Sequence, residues 1–435
     1  MTAPAVPATA PHPAATAPVV PGLPGWPALA VPSLFPLLWL GGLTVPVAAV
    51  MTAVMTALLV RARGVVVTWP VLSLLVLTFW SVVCGVMVDD VGRLLGWAFR
   101  LVILAHVAVT VLYVLNARTI TRAHVLRALT TVWVTTVAGG WLGLLAPDLR
   151  LSTPVGMLLP QALTSNSYVR DLFMPPVAEV QRPWGALEEF VRPSAPFPYA
   201  NSWGMAILLL TPVAVAWAMQ SRRAVPRVIV AAGVVAMIPP AVATSNRMMF
   251  VGLGVALVYV VGRLSLRDRA APALVAGLGV VTVLPLVVGG LLGQVSARAT
   301  YGSASGRVDL YRETWERVLR SPVLGYGAPR PSETVPGLSV GTQGHVWTVL
   351  FSFGVVGLLL FLGFLWGALV QTWRVVDDVD VVLHATLVAA SFAVVVYGLD
   401  VMQLLTVGLV AALLIRSRLA TGPGADAPAL ASDAS

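Results

Sequence analysis

Lysine is absent from this chain and cysteine occurs once. All 27 basic residues are arginine, against 18 acidic ones, and charged residues make up only 10% of the sequence. A soluble domain carries about 25% charged residues, so that class is excluded at the outset. The net charge of +9 is arginine scattered between apolar runs and does not make a nucleic-acid surface. Arginine without lysine, beside abundant Ala, Val, Gly and Pro, reflects GC-rich coding rather than mechanism. With Cys84 alone, neither an intrachain disulfide nor a thiolate metal cluster can form. Its apolar surroundings make it a packed thiol.

Two further absences matter. No glycine-rich phosphate loop precedes a helix, which leaves ATP hydrolysis without support. Asp378-Val379-Asp380 imitates the metal site of nucleotide-sugar transferases, but it falls in a short loop between apolar runs with no soluble domain around it. No metal and no other cofactor is therefore expected.

What the chain has is hydrophobicity: 58% apolar residues and a mean hydropathy of +0.89. About 20 consecutive apolar residues cross a bilayer. Such runs lie near 28–60, 65–88, 92–116, 125–146, 201–219, 226–244, 248–264, 271–293, 346–371, 381–398 and 401–415. The first is either one tilted span or a hairpin broken near Gly41-Gly42 and Pro46, which gives eleven or twelve spans. The fold class is an all-α integral membrane protein. Residues 1–27, an uncharged Ala/Pro/Thr tract without the basic start of a signal peptide, are expected to be a disordered tail. Residues 28–418 form the membrane domain and 419–435 a second disordered tail, on the cytoplasmic side.

Orientation follows from the short loops. Arg61 and Arg63, then Arg118, Arg122 and Arg127, then Arg222, Arg223 and Arg227 fall in alternate loops. Arg263, Arg267 and Arg269, then Arg374, then Arg416 and Arg418 continue the alternation. Those loops and the C-terminus are expected to be cytoplasmic in a multi-pass cell-membrane protein. The long segments 147–200 and 294–345 then face outward.

In the second outer loop, residues 306–320 have helical periodicity. Tyr311, Trp315 and Leu319, with Val308 and Val318 beside them, form one apolar stripe. Ser303 or Ser305 can cap its start, and Pro322, Gly325 and Gly327 end it. Arg312–Glu316 and Glu313–Arg317 are spaced as ion pairs. Such a helix lies at a membrane–water boundary. Arg307, at its start, can meet an anion together with first-turn amides.

The order of motifs then becomes specific. Ser305-Gly306-Arg307 is followed at Trp315 by an aromatic and at 321–327 by Ser-Pro-Val-Leu-Gly-Tyr-Gly. A variable loop leads to His345 and a span punctuated by Gly354 and Gly357. Upstream, Pro198-Tyr199-Ala200-Asn201 opens one span and Ser245-Asn246-Arg247 another. Over residues 190–371 this arrangement resembles the O-antigen ligase/polymerase family. Val346 after the histidine, where the family has Asn, and Ala200 before Asn201 depart from its pattern.

The resemblance implies a GT-C-like membrane glycosyltransferase. It would move a glycan from a polyprenyl diphosphate carrier to a glycan or glycolipid acceptor at the outer face of the membrane. The physics agrees: a lipid diphosphate leaving group requires stabilisation of negative charge, and arginine forks bind phosphate bidentately. Arg192, Arg247 and Arg307 are the diphosphate candidates, and Asn201 a substrate-positioning candidate or a helix cap. His345, the histidine placed at an outer membrane edge, is the candidate base or acceptor-orienting residue. Glu179, Glu188 and Glu189 are alternative bases, or partners of Arg182 and Arg192. His106 and His384, inside spans, read as packed neutral side chains. The contrasting reading is a transporter or flippase for lipid-linked glycan, which favours two pseudo-repeated halves with midplane charges or broken helices. A third is a membrane assembly partner without catalysis.

Overall fold

The computed structural model describes residues 22–164, 167–181, 189–265, 304–335, 337–375 and 377–420. Most of the tail expected at 1–27 and nearly all of that at 419–435 lie outside them, as does the apolar run 271–293. Residues 22–27 are not tail: Leu23 is buried, the Pro24 carbonyl accepts the Tyr113 hydroxyl at 2.7 Å, and the first helix begins at Trp26.

The elements are helices almost throughout. The N-terminal run breaks where expected. α1 (Trp26–Ser33) and α2 (Phe35–Gly41) follow one another, and Gly42 then takes a left-handed φ of 70° before α3 (Thr44–Arg61). α4 (Trp69–Val83) ends in a 3-10 turn, and Asp90 caps α5 (Val91–Asn116) by accepting from the Gly92 and Arg93 amides. Thr121 and His124 form a reciprocal cap on α6 (Arg122–Leu145). The first long loop holds α7 (Pro154–Leu158), α8 (Gln161–Thr164), α9 (Ser167–Phe173) and an antiparallel hairpin, β1 (Ala178–Gln181) with β2 (Phe190–Pro193). Then come α10 (Ala200–Gln220), α11 (Ala224–Ala236), α12 (Ile238–Thr244) and α13 (Arg247–Ser265). The second loop holds α14 (Ala304–Arg320) and the short pair β3 (Arg330–Pro331) and β4 (Ser339–Val340). α15 (His345–Gln371), α16 (Asp378–Ala393) and α17 (Val401–Ala420) close the chain.

Among the described residues, nine helices are long and apolar enough to cross a membrane. α10 is the axis: nearly every residue from Ala200 to Ala214 is buried, against α6, α16 and α17. α16 has 16 residues and spans about 24 Å at 1.5 Å per residue, short for a bilayer. It survives because protein surrounds it, chiefly α10 and α13.

α15 departs from the single span expected over 346–371. Gly354 has φ 67° and ψ −170°, so two helices meet there. The rings of His345 and Phe361 are 4.8 Å apart. In a continuous helix sixteen residues would separate them by about 24 Å, so the chain folds back at Gly354. The second half runs along α4, with Gly363 against Ser73 and Gly367 against Trp69. The first half is re-entrant, and His345 stands at the level of Phe361, below the loop end of the bundle.

The Ser-Pro-Val-Leu-Gly-Tyr-Gly segment explains how this break is tolerated. Tyr326 and Gly327 amides take the Phe351 and Ser352 carbonyls at 2.9 and 2.8 Å, and the Val355 amide takes that of Pro322 at 2.8 Å. Trp80 Nε1 donates to the Phe353 carbonyl at 2.9 Å. The groups freed by the break are thus satisfied inside protein, the condition for irregular backbone at membrane depth.

α14 forms as expected, and most of its apolar stripe is turned away from the protein. Leu310, Glu313, Thr314, Arg317 and Val318 face the protein, while Val308, Trp315 and Leu319 are 56, 52 and 60% exposed. Glu313–Arg317 closes at 2.6 Å. Arg312–Glu316 does not form among the described residues.

At the other end of the bundle, arginines tie helices together. Arg122 bridges Asp377 at 2.5 Å and Asp380 at 2.9 Å, and Ser417 donates to Asp380 at 2.8 Å. Asp380 is therefore an ion-pair partner, and Asp377 caps α16. Arg416 donates to the Val114 and Ala117 carbonyls, and Arg263 to Trp373. Among the described residues, no group of three or more His, Cys, Asp or Glu could hold a metal.

Candidate functional site

Strand pairing sets Arg192 directly opposite Glu179. From there the guanidinium serves three partners: Glu179 at 3.1 Å, Asn201 Oδ1 at 3.0 Å, and the Thr244 carbonyl at 3.0 Å. The other Glu179 oxygen accepts from the Ala200 amide at 2.8 Å and so caps α10. Asn201 is not that cap; it is exposed and held by Arg192.

Thr244 ends α12, and Ser245 makes the turn with a φ of 51°, uncommon for a residue with a side chain. Asn246 and Arg247 follow. Asn246 Oδ1 accepts from the Met249 amide at 3.1 Å and from the Tyr397 hydroxyl. A β-carbon on Gly204 would collide with Asn246, so glycine lets α10 approach this turn. Arg247 opens α13 and is exposed.

Tyr397 also leads to the histidine. The His345 amide donates to the Tyr397 carbonyl at 2.9 Å, and the Val346 amide to Val394 at 3.1 Å. These carbonyls use the first amides of α15, so they are not offered to an anion. The Leu399 amide donates to His345 Nδ1 at 3.2 Å. The expected rim position is therefore corrected: His345 is half-buried and recessed within the bundle, because the chain doubles back.

Two residues not singled out from the sequence join it. Arg100, on α5, interacts electrostatically with both His345 and Asp400. Asp400, before α17, is hydrogen-bonded to Ser202. Burial pushes the Asp400 carboxyl up from the ordinary range, against the opposing effect of Ser202 and Arg100. Gln403 donates to the Ser202 carbonyl at 2.8 Å. Asp400 Oδ2, Asn246 Nδ2 and Gln403 Oε1 are buried without a partner among the described residues. The usable signal in the sequence was an ionisable residue within or between apolar runs.

Of the sequence candidates, Arg192 and Asn201 are in contact, and Arg192 touches the turn that carries Arg247. Hydrogen bonds run from His345 through Tyr397 to Asn246. Arg307 lies in the first turn of α14, and its side chain is outside the described residues. Glu188 and Arg182 are outside them too. His106 meets Thr52 at 2.9 Å, and His384 sits between Tyr259 and the Leu369 carbonyl at 2.6 and 3.0 Å, both inside the helix packing.

A polytopic helical bundle with a recessed polar cluster beneath two long loops is the architecture of an integral membrane protein. Residues 232–362 match the family model of the O-antigen ligases, the family that the motifs resemble. The match covers Arg247, Arg307 and His345 and stops short of Arg192 and Asn201, so it is narrower than the stretch 190–371. A comparison with curated proteins found no match.

Proposed function

We propose that the chain transfers a glycan from a polyprenyl diphosphate carrier to a glycan or glycolipid acceptor, at the outer face of the cytoplasmic membrane. The O-antigen ligase domain supports a role in surface polysaccharide biosynthesis. The observation that carries the finer reading is the convergence of Arg192, Asn201, the Arg247 turn and His345 at one end of the bundle. Arginines at the opposite end support, by the charge rule, the reading of that end as cytoplasmic and of the loop end as outward.

In the reaction the acceptor hydroxyl oxygen attacks the anomeric carbon, and the bond from that carbon to the phosphate oxygen breaks. The lipid diphosphate leaves with the electron pair, and the hydroxyl proton passes from the acceptor oxygen to water. Attack opposite the leaving group inverts the anomeric centre. Arg192, Arg247 and Arg307 would hold the diphosphate, where charge-assisted forked hydrogen bonds are strongest. Asn201, fixed by Arg192, would position substrate.

The test is complementation of a host deleted for this gene with Arg192→Ala, Arg247→Ala and His345→Ala variants of matched membrane abundance. Loss of surface glycan, with the lipid-linked precursor accumulating in the outer leaflet, is the expected result. Normal glycan from all three would overturn the reading. The broken helix at Gly354 favours a second reading, a flippase for the same lipid-linked glycan. That reading predicts precursor held at the inner leaflet.

A further inference from the structure

His345 presents only one of its ring nitrogens to a substrate, and the other fixes its chemistry. Leu399 N–H points at Nδ1 with a nitrogen–nitrogen distance of 3.2 Å. An amide can only donate, so Nδ1 must hold a lone pair there. A doubly protonated ring has none to offer. The imidazole is therefore neutral, with its proton on Nε2.

The surroundings agree. Arg100 stands close enough to interact with the ring, and a second cation beside it is disfavoured. Nε2 has no hydrogen-bond partner among the described residues. The ring is held on its other sides by Phe361 and by the capped first turn of α15. A neutral imidazole fixed in this tautomer has no free lone pair facing outward and is a donor in that direction.

We infer that His345 binds an oxygen of the diphosphate as a neutral Nε2–H donor and does not accept the acceptor's proton. This rests on the reading above that the substrate is a diphosphate. A phosphate oxygen is the fitting partner because it accepts only, and because the cation of Arg100 lies beside the ring. His345 then joins the arginines in holding the leaving group, and no covalent or proton-transfer step passes through its ring.

The experiment has two parts, both on the full chain in detergent or nanodiscs. First, nitrogen-15 NMR of histidine-labelled wild type, with the His345 signals assigned by their loss in His345→Gln, reads which ring nitrogen carries the proton. A protonated Nε2 and a bare Nδ1 at neutral pH are expected; the reverse tautomer or a charged ring would overturn the inference. Second, binding of farnesyl diphosphate is compared among wild type, His345→Gln and His345→Ala. The glutamine amide nitrogen can occupy the Nε2 position and donate, whereas alanine cannot. Losing one hydrogen bond to a charged group weakens binding about 10- to 100-fold. His345→Ala should fall by that factor and His345→Gln should stay within a few-fold of wild type. Wild-type affinity in His345→Ala, or equal loss in both variants, would sink the inference. Neither measurement requires glycan transfer. If transfer fails while tautomer and binding hold, the enzymatic reading falls and this one stands.

Discussion

Arg192 donates to the Asn201 side chain at 3.0 Å, so a residue of the loop hairpin and one on the first turn of the central helix act as a unit. The same guanidinium holds Glu179 and the Thr244 carbonyl, and only a planar fork reaches all three. Arg192→Lys keeps the charge but loses the geometry. It should reduce surface glycan output at least about tenfold, the scale of one lost charge-assisted hydrogen bond. Polymer quantified at matched protein abundance checks this; wild-type output from the lysine variant would mean that charge alone matters.

Gly354 sustains the break in α15. Its φ of 67° with ψ near −170° is a conformation open essentially to glycine, and an added β-carbon would run into the Val323 carbonyl. Gly354→Ala should cost about 1–3 kcal/mol in strain alone and lower the thermal midpoint of the purified protein. Gly254 is the control, because a β-carbon there meets nothing within 4 Å. Equal midpoints for the two alanine variants would argue against the fold-back.

Glu313 clamps the second loop to α14. It accepts from the Glu333 amide at 3.0 Å and the Thr334 hydroxyl at 2.7 Å, and pairs with Arg317. Burial works against its ionisation, but these donors outweigh it and hold the carboxyl down to about 2, from an ordinary 4.5. The clamp therefore contributes its full stability above about pH 4.5 and loses it as pH falls toward 2. Limited proteolysis across that window should show residues 332–335 becoming susceptible on acidification. Glu313→Gln should blunt the pH dependence.

α14 turns its apolar side outward, with Val308, Trp315 and Leu319 all more than half exposed. An outward ridge of this kind belongs in the acyl–headgroup boundary. A spin label at Leu319→Cys, in a Cys84→Ser background, should be more accessible to oxygen than to a water-soluble relaxation agent. The reverse order would lift the helix out of the bilayer.

Much of the bundle was legible because a bilayer leaves few choices: apolar runs of sufficient length must be helices with their hydrogen bonds closed internally. The alternation of arginine-bearing loops was readable for a similar reason, and Arg122, Arg263 and Arg416 do gather at one end. The pairing of Glu179 with Arg192 was among the sequence readings, and it forms.

What covers the polar side of α14 was not legible. Periodicity marks the stripe that faces the membrane boundary, and only the packing shows that Glu313 and Arg317 satisfy one another on the side buried against protein.

Composition and spacing by themselves determined a polytopic helical membrane protein with two long loops, and the family resemblance of its motifs pointed to His345 and the arginines as the residues to watch. Tertiary structure alone decided that the chain folds back at Gly354, that His345 is recessed beside Arg100 and Asp400, and that a backbone amide selects its tautomer. Hydropathy reports the cost of leaving water, which each segment carries in its own sequence. Depth within the bundle and the direction of a hydrogen bond depend on residues brought near from 54 positions away, as Leu399 is to His345.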